Sequence, residues 1–463
     1  MAESRYSTRQ SGREDTIVAV STAPGVGAVA VVRVSGPLAW EVGEKLAADP
    51  AKYRAIEPRR SALMTLADRA RGHEIDRALV VKYQAPASFT GEDVVEVQCH
   101  GGLAVPAAVA GAAIAAGARQ AAAGEFTLRA FLNGKLDLAQ AEAVDDLVHA
   151  RGELDRRLAL QGLGGSLGGL VGSLRSLLLD LKAELEYGID FPEEEPLTGL
   201  SARLESGLCR VAETVEGLLA GARRNLLIAR GVLTVIAGEP NVGKSTLFNR
   251  LVGEERSIVT GTPGTTRDAV EMEAMIDGVL FRLVDTAGLR EETGEVERIG
   301  VEYSRRYLVR ADLVVFVHDV TGPVDRAEKS FLAGRDTGSL LRVSNKIDLL
   351  QKERKSPEGF IPVSAVEGTG LDELRRAMVE KVLPSAPAGP DGDSFRGPQV
   401  ASLRQKNLLE DALAILRRVD PGASAEYIAA DLQEAAERLS EITGAITDEQ
   451  VLERIFSRFC VGK

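Results

Sequence analysis

With three cysteines in 463 residues, Cys99, Cys209 and Cys460, the chain has no material for a disulfide framework. No two of them fall in a CxxC spacing, and an odd number so widely scattered reads as reduced thiols in a cytoplasmic protein. Histidine is equally scarce, at four residues, and the adjacent pair Cys99-His100 would face opposite sides of a strand, so no zinc site is expected. Long apolar runs are missing too: the longest, Leu103 to Ala118, is alanine-rich and too short to span a bilayer, and Met1-Ala2-Glu3-Ser4-Arg5 is not followed by a signal-type apolar core. A membrane is therefore not an expected partner. Positive charge is in deficit, 56 basic against 68 acidic groups for a net of -12, so the overall field repels nucleic acid and any contact with it must be local. Arg151-Arg156-Arg157 and Arg223-Arg224-Arg230 are the candidate clusters, although each reads more simply as a solvated helix face. There is no internal repeat and no long low-complexity tract.

What the chain does contain is several domains' worth of patterning, at roughly one domain per 150 residues. Strand-like runs at 16–20, 29–34, 79–83 and 94–98, followed by an alanine-rich helix over about 103–116, outline a small α/β domain. From Leu136 the period becomes helical, with Leu170, Leu174, Leu177, Leu181 and Leu185 along one stripe. The stretch Gly162 to Gly169 puts several glycines into that helix at about 1 kcal/mol each relative to Ala, so the helix is either pliable there or broken. Asp190-Phe191-Pro192-Glu193 reads as a helix end. Strands are expected near 232–237, 271–276, 279–284, 313–318, 340–344 and 360–363, with Asp277-Gly278 closing a hairpin in an otherwise parallel sheet. After a Pro- and Gly-rich linker at 384–392, the helical period returns at Ile428, Leu432, Ala435, Leu439 and Ile442. Thr447-Asp448-Glu449-Gln450 reads as a capping box for a last helix. The second helical stripe needs partners, and the helices before residue 229 are the nearest source. The expected organisation is an α/β domain at 1–133, a helical domain split into 134–228 and 384–463, and an inserted Ras-like P-loop domain with a mixed, mostly parallel sheet at 229–383.

The most specific signal is Gly238-Glu239-Pro240-Asn241-Val242-Gly243-Lys244-Ser245, preceded by the β-branched run Val232 to Ala237 and followed by a helical Thr246-Leu247-Phe248. Gly238 and Gly243 let backbone N–H groups close on a polyphosphate, Lys244 reaches its β- and γ-oxygens, and the Ser245 hydroxyl can ligate Mg²⁺. Four further motifs follow in the order that a GTPase requires. Thr265-Thr266-Arg267-Asp268 offers a threonine to the metal, and Asp285-Thr286-Ala287-Gly288 offers a strand-end aspartate and a glycine N–H for the γ-phosphate. In Asn345-Lys346-Ile347-Asp348 the last carboxylate accepts from N1–H and the exocyclic amine of guanine, a pattern that adenine lacks, and Ser364-Ala365 can present an N–H to O6. Where a Ras-like enzyme has a water-orienting Gln, this chain has Leu289, so Arg290, Glu291, Glu292, Glu295 or Glu297 must supply that function. Asn241 either caps its turn or presents a carbonyl oxygen beside the phosphates, where a monovalent cation could replace an arginine finger.

Several other stretches are foreign to generic GTPases: Asp15-Thr16-Ile17-Val18-Ala19, Ser88-Phe89-Thr90-Gly91-Glu92-Asp93-Val94-Val95-Glu96, His100-Gly101-Gly102, the run from Gly124 through Gly134-Lys135 to Ala143, and the ending Phe459-Cys460-Val461-Gly462-Lys463. With the GTPase motifs, these resemble the MnmE (TrmE) family of tRNA modification GTPases over almost the whole chain. The resemblance implies that 1–133 is a folate-binding and dimerising domain, and that the enzyme is a homodimeric, potassium-activated GTPase. It also implies a partner of the FAD-containing MnmG type, in a heterotetramer or larger complex, and a reaction that adds a (carboxymethyl)aminomethyl group to C5 of the wobble uridine of certain tRNAs. 5-Formyl- or methylene-tetrahydrofolate would be the bound folate.

By matching positions, Arg33, Glu96, Lys135 and Lys463 would bind folate, and Asn241, Thr260, Thr262 and Thr265 would hold K⁺. Ser245 and Thr266 would ligate Mg²⁺, while Glu297 would orient the attacking water. The GTP contacts would run through Asn241, Val242, Gly243, Lys244, Ser245 and Thr246, then Thr260, Gly261, Thr262, Pro263, Gly264, Thr265 and Thr266, then Asp285, Thr286, Ala287 and Gly288, and finally Asn345, Lys346, Asp348, Ser364 and Ala365. Cys460 reads by position as a small buried hydrophobe, and by the family's ending as a reactive thiol near the folate. Two stretches depart from the family pattern, the glycine-rich 162–172 and the alanine-rich 103–123. A ribosome-assembly GTPase is the alternative reading, disfavoured by the absence of a GxxG RNA-binding module after the single nucleotide domain.

Overall fold

A computed structural model of the chain describes residues 15–69, 72–190, 200–253, 271–285, 306–334, 337–350, 356–384 and 397–462. It divides into two compact units, Met1–Asp145 with Ala436–Lys463, and Asp146–Ala435.

The first unit is built on a six-stranded sheet: β1 (Ile17–Val20), β2 (Val29–Ser35), β3 (Ser61–Asp68), β4 (His73–Tyr83), β5 (Val94–His100) and β6 (Arg119–Gln120), in the order β3-β4-β5-β2-β1-β6. All neighbours are antiparallel except β1 and β6. Alternation sends Val32, Val34, Met64, Leu66, Val80, Val95 and Val97 to one face, where they pack with Val42 and Leu46 of one helix and Val109 and Ala113 of another. The opposite face carries Arg33 and Glu96, which are partners in the β2–β5 register. Sequence reading missed β3 and began β4 six residues late. The reason is local: His73-Glu74-Ile75-Asp76-Arg77 is too polar to read as a strand, yet it pairs with β3 through a register shift that passes over Ile75.

A cluster of buried charge ties this sheet to the helix Glu125–Leu132. Arg129, 3% exposed at its side chain, donates to Asp15 at 2.6 Å and Glu125 at 3.0 Å and meets Glu92 at 3.2 Å. Arg119 pairs with Glu125 and Asp15 from the other side. Glu92 in turn accepts from the Ser35 hydroxyl at 2.7 Å, so Asp15 just before β1, β2, β6, the 88–92 loop and the helix share one network.

The chain end belongs to the same unit. Leu452 and Phe456 of the helix Glu449–Phe456 are buried with Phe459, Leu138 and Ala141, and Val461 bridges to Ala123. The cap of this helix lies one residue beyond the expected one: the Asp448 carboxylate accepts from Gln450 N at 2.9 Å, while the Thr447 hydroxyl turns back to donate to Ile446 O.

The second unit holds long helices and a second six-stranded sheet: β7 (Val232–Gly238), β8 (Glu271–Ile276), β9 (Val279–Asp285), β10 (Leu313–Asp319), β11 (Leu340–Asn345) and β12 (Ile361–Pro362), in the order β12-β11-β10-β7-β9-β8. All pairs are parallel except β8–β9, the hairpin that Asp277 and Gly278 close with φ of 47° and 78°. The glycine-rich stretch breaks the helix. One helix ends at Leu163, Gly165 takes φ 74°, and a new helix starts at Ser166 and runs to Asp190. Its buried stripe is Leu167, Val171, Leu174, Leu178, Leu181 and Leu185, so Leu170 and Leu177 flank the seam instead of forming it. Three successive leucines at 177–179 cannot share one face, and Leu178 is the one in phase.

Leu154 and Leu158 of the helix Glu153–Leu163, with Leu227 and Ile228 of the helix Leu200–Arg230, enter the core formed by β7 to β10. The Leu403–Arg418 helix lies along Leu200–Arg230, joined by Arg417 to Glu216 at 2.7 Å, and just before it Gln399 accepts from Asn225 at 2.9 Å. Ile428, Leu432, Ala435, Leu439 and Ile442 are buried, as their spacing predicts. Among the described residues no helix is long and apolar enough to cross a membrane.

Candidate nucleotide-binding site

The carboxyl ends of parallel strands are where an open α/β sheet presents polar groups, and here β7, β9, β10 and β11 end at Gly238, Asp285, Asp319 and Asn345. After Gly238 the chain turns through 239–243 into the helix Lys244–Gly253. Only glycine fits at two points of this turn. A Cβ on Gly238 (φ 150°) would lie 2.3 Å from the Val317 carbonyl oxygen, and one on Gly243 (φ 94°) would lie 2.2 Å from Asn345 Nδ2. Asn241 takes φ 62° and is exposed, as are Ser245 and Thr246, while Lys244 is 6% exposed with Nζ donating to the Glu239 carbonyl at 2.7 Å. The lysine is thus parked inside the loop, on the side where a phosphate would lie. Asp285, 8% exposed, pairs with Ile236 across β7–β9 and stands beside this loop.

Asn345 joins the phosphate loop to the base-reading loops. Its Nδ2 donates to the Val242 carbonyl at 2.9 Å, and its Oδ1 accepts from Ala365 N at 3.0 Å. Asp348 is exposed and oriented by the Ser364 hydroxyl, which donates to Oδ1 at 2.6 Å. Lys346 lies between them at φ 68°, its Nζ 2.6 Å from Asp319 Oδ2. Motif reading placed Asn345 and Ala365 against the nucleotide. In this conformation Asn345 divides its side chain between Val242 and Ala365, and the Ala365 amide faces Asn345 instead of standing open toward a base.

Thr260, Gly261, Thr262, Pro263, Gly264, Thr265, Thr266, Thr286, Ala287, Gly288, Leu289 and Glu297 lie outside the described residues, so of the K⁺ set only Asn241 is described and of the Mg²⁺ set only Ser245. Sequence reading did not single out Glu239 or Asp319. Glu239 has its carboxyl pushed above its ordinary value by the neighbouring Asp325 carboxylate. For Asp319 the available signal was a lone acid closing an apolar strand, as Asp285 does.

In the first unit, Arg33 Nε donates to Glu96 Oε1 at 2.9 Å, and its guanidinium lies 5.5 Å from the Phe89 ring centre and 5.7 Å from that of Phe126. The Tyr83 hydroxyl reaches Glu96 Oε2 at 3.4 Å, and burial followed by the Glu96 charge pushes that phenol above its ordinary value. Lys135 Nζ donates to Pro86 O at 3.1 Å, three residues from Phe89. A cavity of about 690 Å³ is lined by Lys135 with Phe131, Asp137, Gln140, Thr443 and Gly444, whereas Arg33 and Glu96 do not line it. Lys463 lies outside the described residues. Cys460 is exposed, its carbonyl accepting from Gly124 N at 3.4 Å, which overturns the expectation from position that it is a buried hydrophobe. The reason is that Phe459, one residue earlier, takes the buried place. Cys99 is buried against Ala30 O, and the His100 ring turns outward to Asp76 at 2.7 Å. Among the described residues no group of three or more His, Cys, Asp or Glu side chains could hold a metal.

A glycine-bounded phosphate loop at the end of a buried parallel strand, tied by one asparagine to an Asn-Lys-x-Asp loop, defines a P-loop GTPase domain. Two family models match the chain: "GTP-binding protein TrmE N-terminus" over residues 16–135 and "MnmE helical domain" over residues 138–460. The tRNA modification GTPase MnmE of Thermotoga sp. (strain RQ2) is 41% identical over 464 residues, covering 97% of this chain and 100% of its own. That of Aquifex aeolicus (strain VF5) is 40% identical over 457 residues with the same coverage. Among solved structures, the FeoB G-domain from Methanococcus jannaschii aligns with 33% of this chain and 97% of its own at 27% identity, with a TM-score of 0.25, too loose a superposition to add weight. The chain belongs to the MnmE family of tRNA modification GTPases.

Proposed function

We propose that this chain is a potassium-activated GTPase acting, with an FAD-dependent MnmG-type partner, on C5 of the wobble uridine of certain tRNAs. It would work as a cytoplasmic homodimer and add a (carboxymethyl)aminomethyl group whose one-carbon unit comes from methylene-tetrahydrofolate. The observation that carries the GTPase part is the Asn345 bridge, which brings the phosphate loop and the base loop to one place. Residues 229–383 would be a nucleotide domain inserted between helical segments 134–228 and 384–463, a reading supported by the packing of Leu403–Arg418 on Leu200–Arg230. Residues 1–133 would bind folate and dimerise.

Within the site, Lys244 leaves the Glu239 carbonyl for the β- and γ-oxygens of GTP, an exchange of one hydrogen-bond acceptor for a charged one. Ser364 donates to one oxygen of Asp348, leaving the other to accept from guanine, which adenine cannot satisfy. Ser245, exposed in the first turn of its helix, fits a Mg²⁺ ligand alongside Thr266, and that ion would neutralise charge on the phosphates. Asn241, exposed at positive φ, fits a carbonyl ligand for K⁺ with Thr260, Thr262 and Thr265. Glu297 would orient the water that Leu289 cannot.

Hydrolysis in KCl should exceed that in NaCl by at least about tenfold, a modest part of the about 10³-fold or more that an arginine finger supplies. Equal rates in the two salts would remove the cation from the mechanism.

The Arg33–Glu96 pair, walled by Phe89 and Phe126, fits a planar polar heterocycle better than a chain-like ligand. The Arg33→Ala change should weaken 5-formyl-tetrahydrofolate binding by about ten- to a hundredfold, the range expected when a charged hydrogen-bonding group is lost. Calorimetric titration of the full chain reads this directly, and unchanged affinity would move the folate elsewhere. Exposed Cys460, at the tail that bridges to Ala123, remains available as a reactive thiol in this scheme.

A further inference from the structure

We propose that Asp319 is a positioning residue for guanine recognition, holding the Lys346 ammonium so that the lysine stem is fixed in place to cover the face of a purine base. The inference rests on the assignment of Asn345 to Asp348 as the base-reading loop, and deepens it.

Asp319 and Asn345 end adjacent parallel strands and are partners in their register. Lys346 follows directly, and its backbone takes φ 68°, one of four positive values at non-glycine positions among the described residues. Such a conformer is disfavoured for a long side chain and persists where surrounding contacts hold it. Two are visible. Val320 N donates to the Asn345 carbonyl at 3.1 Å, fixing the peptide before Lys346, and Asp319 Oδ2 takes the ammonium at 2.6 Å.

Asp319 is itself held. Its Oδ1 accepts from the backbone N of Thr321 at 2.9 Å and from the Thr321 hydroxyl at 2.7 Å, and its carbonyl accepts from Gly322 N at 3.1 Å. The two carboxylate oxygens therefore have separate tasks, one locking the acid to its turn and one locking the lysine to the acid. Burial opposes the charge, but the hydrogen bonds from Lys346 and Thr321 outweigh it and keep the carboxyl below its ordinary range. The Asp319 carboxylate therefore stays ionised throughout neutral pH.

This arrangement decides what Lys346 can offer. With its charge matched by Asp319, it contributes little to phosphate attraction, and what remains is its four-carbon stem, stretched between the end of β10 and the loop that carries Asp348. A stem anchored at both ends loses less freedom when a flat base settles against it than a free lysine would. The ligand class is a purine nucleotide whose edge is read by Asp348.

The test uses the full chain and the fluorescent nucleotide mant-GDP. The Asp319→Ala change should raise Kd about tenfold, almost entirely through faster dissociation. The Asp319→Asn change, which keeps a side chain for Thr321, should fall between that variant and wild type. Lys346→Met, which retains the stem without the charge, should match Asp319→Ala, and adding it to Asp319→Ala should cost nothing further. Dissociation rates should be flat from pH 6 to 9 in every variant. Wild-type dissociation in Asp319→Ala overturns the proposal, and so does a double variant whose losses simply multiply, since a merely structural role for Asp319 would give that result. Asp348→Ala separates the two levels: if it abolishes binding while the Asp319 variants bind normally, only this inference fails, and if it too binds normally, the assignment of the base loop fails with it.

Discussion

Replacing Lys244 with Ala lowers GTP turnover by about a thousandfold, the upper end of what one preorganised donor to transition-state charge contributes. The loss should be in kcat as well as KM, because the lysine meets oxygens whose charge grows during transfer. Its present partner, the Glu239 carbonyl, lies within the same loop, so the substitution leaves a backbone acceptor at the exposed phosphate loop and the fold intact. Steady-state hydrolysis checks the rate, and nucleoside mass spectrometry of bulk tRNA from a deletion strain checks the coupling. Wild type should restore the C5-modified wobble uridine and Lys244→Ala should not. Restoration by the variant would separate GTP turnover from tRNA modification, and unchanged nucleosides in the deletion strain would refute the tRNA role itself.

The Arg129→Ala change should destabilise the unit around the first sheet by about 3–5 kcal/mol, the cost typical of removing one partner from a buried ionic cluster. It takes from Glu92, 13% exposed, the one arginine it meets among the described residues, and removes one of two from Glu125, 8% exposed, leaving Arg119 to serve Glu125 and Asp15. Arg129→Lys should not rescue it, since a point charge cannot reach Asp15, Glu125 and Glu92 as the fork does. The effect has a sign in pH. Burial works to raise the Glu125 and Asp15 carboxyls, but the hydrogen bonds and charges of Arg119 and Arg129 outweigh it, and both are held below their ordinary values. A carboxyl lowered on folding contributes stability that is complete above its unfolded pKa and is lost as pH falls through the folded one. The difference in thermal stability between wild type and Arg129→Ala should therefore be widest at neutral pH and narrow below about pH 4, where protonated carboxyls no longer need the arginine. A gap that is constant between pH 7 and pH 3 would mean that the arginine acts by packing alone.

Several features were legible in the residues themselves. The β-branched run before Gly238, the glycines of the phosphate loop, the Asp277-Gly278 hairpin and the buried stripe from Ile428 to Ile442 all appear in the structure where local pattern placed them. Each depends on a short-range property, strand or helix period or tolerance of positive φ, that a chain carries with it wherever it folds. The GTPase motifs were equally plain because their spacing is set by one strand and one turn at a time.

Other features depend on what comes to lie beside a residue, and these only the tertiary structure decided. The polar start of β4 becomes a strand because β3 lies alongside to pair with it. Asn345 spends its side chain on Val242 and Ala365, and Asp319 meets Lys346, because parallel strands far apart in sequence end side by side. Arg129 could be read as one more basic residue on a helix, until Asp15, Glu92 and Glu125 converge on it from three directions. Cys460 is exposed because Phe459 took the place in the core. The sequence by itself determined the phosphate loop, the strands and helices with a clear local period, and which family the chain resembles. The partners of its buried charges and the residues that hold its base-reading loop were decided by tertiary packing, since pairing between distant segments has no local period to reveal it.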